Sequence, residues 1–120
     1  RYHDPERCAR ETAALLALPQ PPTCILFPDD FSAIGGLNTI AAAGLRVPGD
    51  ISVAGYDGIY LSQTMSPRLT TYRQDTAALG RTAAARLIEL IEKPRTTVMD
   101  RTVVSGALLP GGTIAPPRTE

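Results

Sequence analysis

Two short strand-like segments, the continuous apolar run at residues 23–27 and a second buried strand at residues 51–54, constrain this chain more than any other feature of it. An unbroken apolar run of that length suits a strand buried on both faces. Between the two segments Phe31, Ile34, Leu37, Ile40 and Ala41 recur at helical spacing, and Gly44 stands where a helix C-cap glycine belongs. Buried strands alternating with helices are the pattern of a parallel sheet, hence an α/β fold.

The flanking segments extend the alternation. Asp4-Pro5-Glu6 supplies an N-cap, a proline at the first helical position and an acid in the positive first turn. Cys8, Leu15 and Leu16 then give a weakly amphipathic helix ending near Leu18-Pro19, before the breakers Pro19-Gln20-Pro21-Pro22. Val47-Pro48-Gly49-Asp50 is turn chemistry, and Gly55-Tyr56-Asp57-Gly58 closes the second strand. Residues 59–66 read as a short helix or loop stopped by Pro67, and residues 69–72 as a β segment. Asp75 caps a further helix carrying Leu79, Ala83, Leu87, Leu90 and Ile91 on one face, which Lys93-Pro94 terminates. Residues 102–109 are the last predicted strand, followed by an irregular tail; no internal repeat is present.

At 120 residues the chain is one domain's worth, and 43% apolar with 20% charged residues is enough to bury a core. The 12 Lys and Arg balance the 12 Asp and Glu, so the basic excess of a freestanding nucleic-acid binder is missing. With no Trp and two Phe, an aromatic base-stacking platform is not expected either. Cys8 and Cys24 are too few for a disulfide framework or a closed zinc site, and both read as small buried thiols. There is no signal-peptide core and no membrane-length apolar run. The chain opens on Arg1 rather than Met, which reads as a piece of something longer, with a reducing cytoplasm as its expected home.

In an open parallel sheet, ligands sit outside the carboxyl ends of the strands. Asp29-Asp30 follow the first strand and Asp57 the second, so their strands are expected to be neighbours with carboxylates toward one crevice. Carboxylates there accept hydrogen bonds from sugar hydroxyls, bind a metal or cap helices. Asp30, directly before the helix, leans to the cap; Asp29 and Asp57 are the ligand-binding candidates. Gly35-Gly36 lies inside the helical pattern rather than in a strand-to-helix turn, so it is read as close packing and not as a phosphate loop. His3, the only histidine, has no nucleophile or metal partner near it in sequence and reads as a surface residue. No serine sits in a G-x-S-x-G elbow. No catalytic constellation is assembled, no metal ligand set or cofactor is expected, and the chain is not read as an enzyme.

These junctions carry a family resemblance. Phe27-Pro28-Asp29-Asp30-Phe31-Ser32-Ala33-Ile34-Gly35 resembles the Asn-Asp-x-x-Ala-x-Gly segment of LacI/GalR-type transcriptional regulators. The stretch from Gly44-Leu45-Arg46-Val47-Pro48 through Asp50-Ile51-Ser52-Val53 to Gly55-Tyr56-Asp57 is similar to the family's Gly-x-x-Val-Pro, Asp-(Ile/Val)-Ser and Gly-(Phe/Tyr)-Asp elements in series. Pro67-Arg68-Leu69-Thr70-Thr71 resembles its Pro-x-Leu-Thr-Thr, and Leu79-Gly80 with Ala83-Ala84 the helix after it. The string runs from about residue 23 to residue 109 in the family's order and spacing.

The resemblance implies that residues 1–120 are the C-terminal portion of an effector-binding domain of the periplasmic-binding-protein-like type I fold. Its sheet would be a three-layer, doubly wound parallel sheet forming part of a lobe. The helix-turn-helix that binds operator DNA and the first lobe would lie outside the chain. Such regulators sense a small molecule, of sugar or nucleoside type, and bind DNA as homodimers in the cytoplasm, without a membrane or a cofactor. Asp57 matches the motif aspartate and Asp29 the variable polar position that contact the effector, while Asp30 matches the structural start of the helix. Residues 59–65 and faces of the helix at 31–43 match the subunit contact. The helix matching residues 75–92 packs in the other lobe, so its apolar stripe would lose its normal burial here.

Two departures stand out. Asp29 replaces a frequent Asn, adding a charge that favours hydroxyl-rich or cationic effectors, and Gly111 stands where the last strand often leads into Arg. Two other classes share features. A phospho-receiver domain also has an acidic pair and an acceptor Asp at strand ends, but farther apart, and it needs a Lys after a later strand; the only lysine is Lys93, at a helix end. A periplasmic sugar-binding protein for transport shares the fold, and the Pro-x-Leu-Thr-Thr stretch favours the regulator over it.

Overall fold

A computed structural model describes residues 4–96, 98 and 100–117; His3 lies outside the described residues. In chain order the elements are α1 (Pro5–Leu16), β1 (Cys24–Leu26), α2 (Asp30–Ala42), β2 (Ser52–Asp57), α3 (Tyr60–Thr64), β3 (Thr70–Arg73), α4 (Thr76–Glu92) and β4 (Ala107–Leu109). The sheet order is β1-β2-β3-β4. β1 pairs with β2 and β2 with β3, both in parallel, with Ile25 opposite Val53, Ala54 opposite Thr70 and Tyr56 opposite Tyr72. The α/β reading with a parallel sheet therefore holds. The chain forms two compact units, one running to Arg73 and resuming at Leu108, the other spanning Gln74–Ala107. Among the described residues no helix is long and apolar enough to cross a membrane.

In the first unit, local chemistry fixes the helix ends as read. The Asp4 carboxylate accepts from the Arg7 amide at 2.9 Å, Pro5 opens α1, and Gly44 takes the left-handed conformation (φ 75°) just past α2. Arg46 and Asp50 clasp the turn before β2 through two side-chain bonds of 2.8 and 3.0 Å. Ile25, Phe27, Ala33, Ile40, Ile51, Val53 and Leu69 form the core, joined by the half-buried Cys8, Leu16 and Leu37. Burying each large side chain of this set stabilises the fold by roughly 1.5–3 kcal/mol. α1 packs along α2. Gly35 permits this, because a Cβ there would overlap the backbone of Pro5, and Gly36 makes room for the core, because a Cβ there would overlap the Phe27 ring.

Three expectations need correction. β1 is covered on one face only: Ile25 joins the core, whereas Cys24 is exposed and Leu26 is 74% exposed. Within the first unit the core lies on the Ile25 side of β1, which leaves the side chains of Cys24 and Leu26 outside it. Cys24 is for the same reason not a buried thiol, and Cys8 is half-buried. The last strand is short. Residues 102–106 lie outside the sheet, since β-branched composition without a ladder partner does not make a strand.

Residues 110–117, after β4, are irregular but tied to the sheet. The Val53 amide donates to the Thr113 carbonyl at 2.8 Å, and Thr113 Oγ1 donates to the Val53 carbonyl at 2.7 Å while accepting from the Thr70 amide at 2.9 Å. Thr113 thus bridges β2 and the first residue of β3. Gly111 packs so closely on the backbone of Arg68, Leu69 and Thr70 that no side chain fits, which gives this departure from the regulator pattern a steric reason.

In the second unit, Asp75 caps α4 by accepting from the Ala78 amide at 2.8 Å, and Lys93 ends it. None of the residues of α4 is buried; Leu87 and Ile91 are 58% and 71% exposed. Leu79, Ala83, Leu87 and Leu90 line, with Val98 and Val104, a groove of about 330 Å³. Arg86 pairs with Glu89 and Asp100 beside it, and the Glu89 bond, then the Asp100 charge, raises the guanidinium pKa further.

The packing of α2 makes a direct prediction. Gly36→Ala should destabilise the chain by about 1–3 kcal/mol, because the Phe27 ring must leave its place in the core. Urea unfolding checks it, and an unchanged midpoint would contradict this account of α2.

Candidate functional site

The carboxyl ends of β1 and β2 lie side by side, because the two strands are adjacent and parallel. The residues that follow them are the candidates. Asp29, 1% exposed, has extended backbone (φ −157°, ψ 166°) and is the N-cap of α2. One of its carboxylate oxygens accepts from the Ser32 amide at 2.8 Å and the other from the Ser32 hydroxyl at 2.9 Å. The cap therefore falls one residue earlier than the sequence leaned, since Asp30 already has helical backbone.

Asp30 is structural, as the resemblance implies, but as a cross-link. It is fully buried; Oδ1 accepts from the Thr71 hydroxyl at 2.6 Å and Oδ2 from the Ile59 amide at 2.9 Å. The β1–α2 junction is thereby tied to β3 and to the turn after β2. A carboxylate removed from water needs such donors, each charge-assisted bond contributing about 1.5–3 kcal/mol. Gly55 makes room for it: a Cβ there would collide with the Asp30 carboxylate.

Asp57 ends β2, half-buried, with a positive φ of 109°, and Gly58 follows at 67°. Its strand partner is Arg73. One position back, Tyr56 and Tyr72 stack across β2 and β3 with ring centroids 5.6 Å apart and planes within 16°, and Tyr56 is 42% exposed. The structure thus brings Asp29, Asp30 and Asp57 to one end of the sheet, with Ile59, two residues beyond Asp57, bonded to Asp30. Two features escaped the sequence reading. Thr71 was legible only as a motif letter, and the tyrosine pair needed the β2–β3 register to be visible. Among the described residues, no group of three His, Cys, Asp or Glu side chains is arranged to hold a metal ion.

Comparison with known proteins agrees with this geometry. Residues 1–114 match the family described as periplasmic binding protein-like domain. The chain belongs to that family. Among curated relatives it is 44% identical over 94 residues to the HTH-type transcriptional repressor ExuR of Bacillus subtilis (strain 168), covering 78% of this chain and 28% of ExuR. It is 41% identical over 78 residues to the HTH-type transcriptional repressor CytR of Escherichia coli (strain K12), covering 65% and 23%. Among solved structures, a LacI transcriptional regulator from Bacillus cereus subsp. cytotoxis NVH 391-98 superposes with a TM-score of 0.88 at 29% identity, over 94% of this chain and 40% of that one. A dimeric Lac repressor with an 11-residue C-terminal deletion gives 0.86 at 32% identity, over 96% and 42%. The LacI-type resemblance carried by the motifs is therefore correct, and the periplasmic binding protein-like chain spans less than half the length of the regulators it matches.

The two hydrogen bonds from Ser32 make the capping role of Asp29 testable. Asp29→Ala should lower stability by about 0.5–2 kcal/mol, while Asp29→Asn, which retains a capping oxygen, should recover most of the loss. Equal losses in thermal unfolding would contradict the cap.

Proposed function

We propose that this chain is the effector-binding and dimerisation portion of a LacI-type transcriptional regulator, residues 1–120 being the C-terminal part of its sensing domain. The observation that carries the reading is the position of Asp57: the aspartate of the Gly-Tyr-Asp motif stands at the carboxyl end of β2 in a chain whose relatives are named as repressors. The effector is a small hydroxyl-bearing molecule of sugar or nucleoside type, with Asp57 as its acceptor, while Asp29, buried with both carboxylate oxygens on Ser32, serves the site as the cap of α2. One solved relative is described in complex with lactose, and one curated relative is named a ribose operon repressor. Operator DNA is bound by a helix-turn-helix outside this chain, in the cytoplasm, and the chain performs no catalysis. Transport of a periplasmic sugar is the less favoured reading, because the relatives are repressors.

The dimer contact is formed by α3 and the start of α2. The exposed apolar side chains there support it: Tyr60 is 85% exposed, Leu61 49% and Phe31 43%. A solved relative is itself described as dimeric.

Two measurements test the reading. In the full-length protein, calorimetry against a panel of sugars and nucleosides should find an effector, and Asp57→Ala should weaken it roughly ten- to a hundredfold without unfolding the core. Unchanged affinity would make Asp57 structural. The isolated chain should not shift duplex DNA at physiological salt, yet should self-associate in sedimentation equilibrium, because α3 and the stripe of α4 are both uncovered. A monodisperse monomer at micromolar concentration, or a sequence-specific DNA shift, would count against it.

A further inference from the structure

The turn after Asp57 has little reason of its own to hold its shape. Asp57 at φ 109° is in a region that side chains rarely adopt, and such backbone persists only where the surroundings over-determine it. Three bonds supply that constraint. The Gly58 amide donates to Thr71 Oγ1 at 3.3 Å, the Thr71 hydroxyl donates to Asp30 Oδ1 at 2.6 Å, and the Ile59 amide donates to Asp30 Oδ2 at 2.9 Å. Both direct arms therefore end on one fully buried carboxylate, and the third reaches it through Thr71.

The same group governs what comes next. Ile59 is the N-cap of α3 and makes no side-chain capping bond, so the entry of this five-residue helix is not fixed from within. It is fixed from outside, by the Ile59 amide on Asp30. On the far side the Ser62 hydroxyl donates to the Ile59 carbonyl at 2.8 Å and the Leu69 amide donates to the Ser62 carbonyl at 3.0 Å. The backbone from Asp57 through Ser62 is thus braced between Asp30 and β3.

We infer that Asp30 is a positioning residue: through Thr71 and Ile59, its carboxylate sets the backbone of Asp57 and the entry of α3 together. The functional weight of this rests on the reading that Asp57 meets the effector and α3 a second subunit. On that reading one buried carboxylate joins the ligand end of β2 to the surface that α3 presents, and a change at either is transmitted to the other through it.

The test is amide hydrogen exchange by NMR on the full chain, comparing wild type with Thr71→Val, Thr71→Ser and Asp30→Asn. Thr71→Val is nearly isosteric and removes both the acceptor for Gly58 and the donor to Asp30, so it serves even where the Asp30 variant fails to fold. Exchange at Gly58 and Ile59 should rise about tenfold or more in Thr71→Val while Val53, bonded to Thr113, is unchanged. Thr71→Ser should restore protection, and the HN–Hα coupling of Asp57 should leave its positive-φ value in Thr71→Val and Asp30→Asn but not in Thr71→Ser. Unchanged exchange at Gly58 and Ile59, or an equal rise at Val53, would overturn the inference, the latter by showing loss of global stability only. An effector affinity indifferent to Asp57→Ala would instead refute the effector reading and leave the exchange result intact, so the two failures are distinguishable.

Discussion

A single carboxylate with no access to water organises the working end of this molecule. Asp30 follows β1, begins α2, crosses over β2 at the one position where a glycine leaves space, and finds its donors on β3 and on the turn beyond β2. An isolated charge in that environment would be prohibitive. Met by a hydroxyl and a backbone amide, it instead locks three consecutive segments into one arrangement. Asp29, Gly55 and Thr71 follow from this: the first must cap the helix that Asp30 begins, the second must lack a side chain that would obstruct it, and the last must bring a hydroxyl to it.

The division of the chain follows from a different constraint. The first unit has a conventional core, in which Ile25, Val53, Ile40 and Leu69 meet between sheet and helices. The second has a long helix without one buried residue and a groove lined by leucine, alanine and valine. Apolar faces of this kind are costly in water, and the chain spans 40% and 42% of the two LacI-type structures on which it superposes.

Most of the first unit was legible in the sequence because its signals are local. The Asp4 cap, the end of α2 before Gly44 and the packing role of Gly35-Gly36 each depend on a few neighbouring residues and came out as read, as did the Asp75 cap in the second unit. What failed needed tertiary information. The exposure of Cys24 and Leu26 depends on which faces of β1 are covered, and the short β4 depends on which backbone finds a partner. At the site, the three aspartates were visible as strand-end acids, but their division of labour was not. Cap and cross-link were separated only by the extended backbone of Asp29 and by Thr71 and Ile59, which lie 41 and 29 residues from Asp30.

The central claim is that this end of the sheet presents Asp57 to a small molecule while Asp30 holds it in place. A crystal structure of the full-length protein bound to the tightest-binding sugar or nucleoside tests it most directly. The account predicts an Asp57 carboxylate oxygen about 2.6–3.2 Å from a ligand donor, with the bonds from Thr71 and Ile59 to Asp30 intact. A ligand held elsewhere, with Asp57 turned away from it, would contradict the claim.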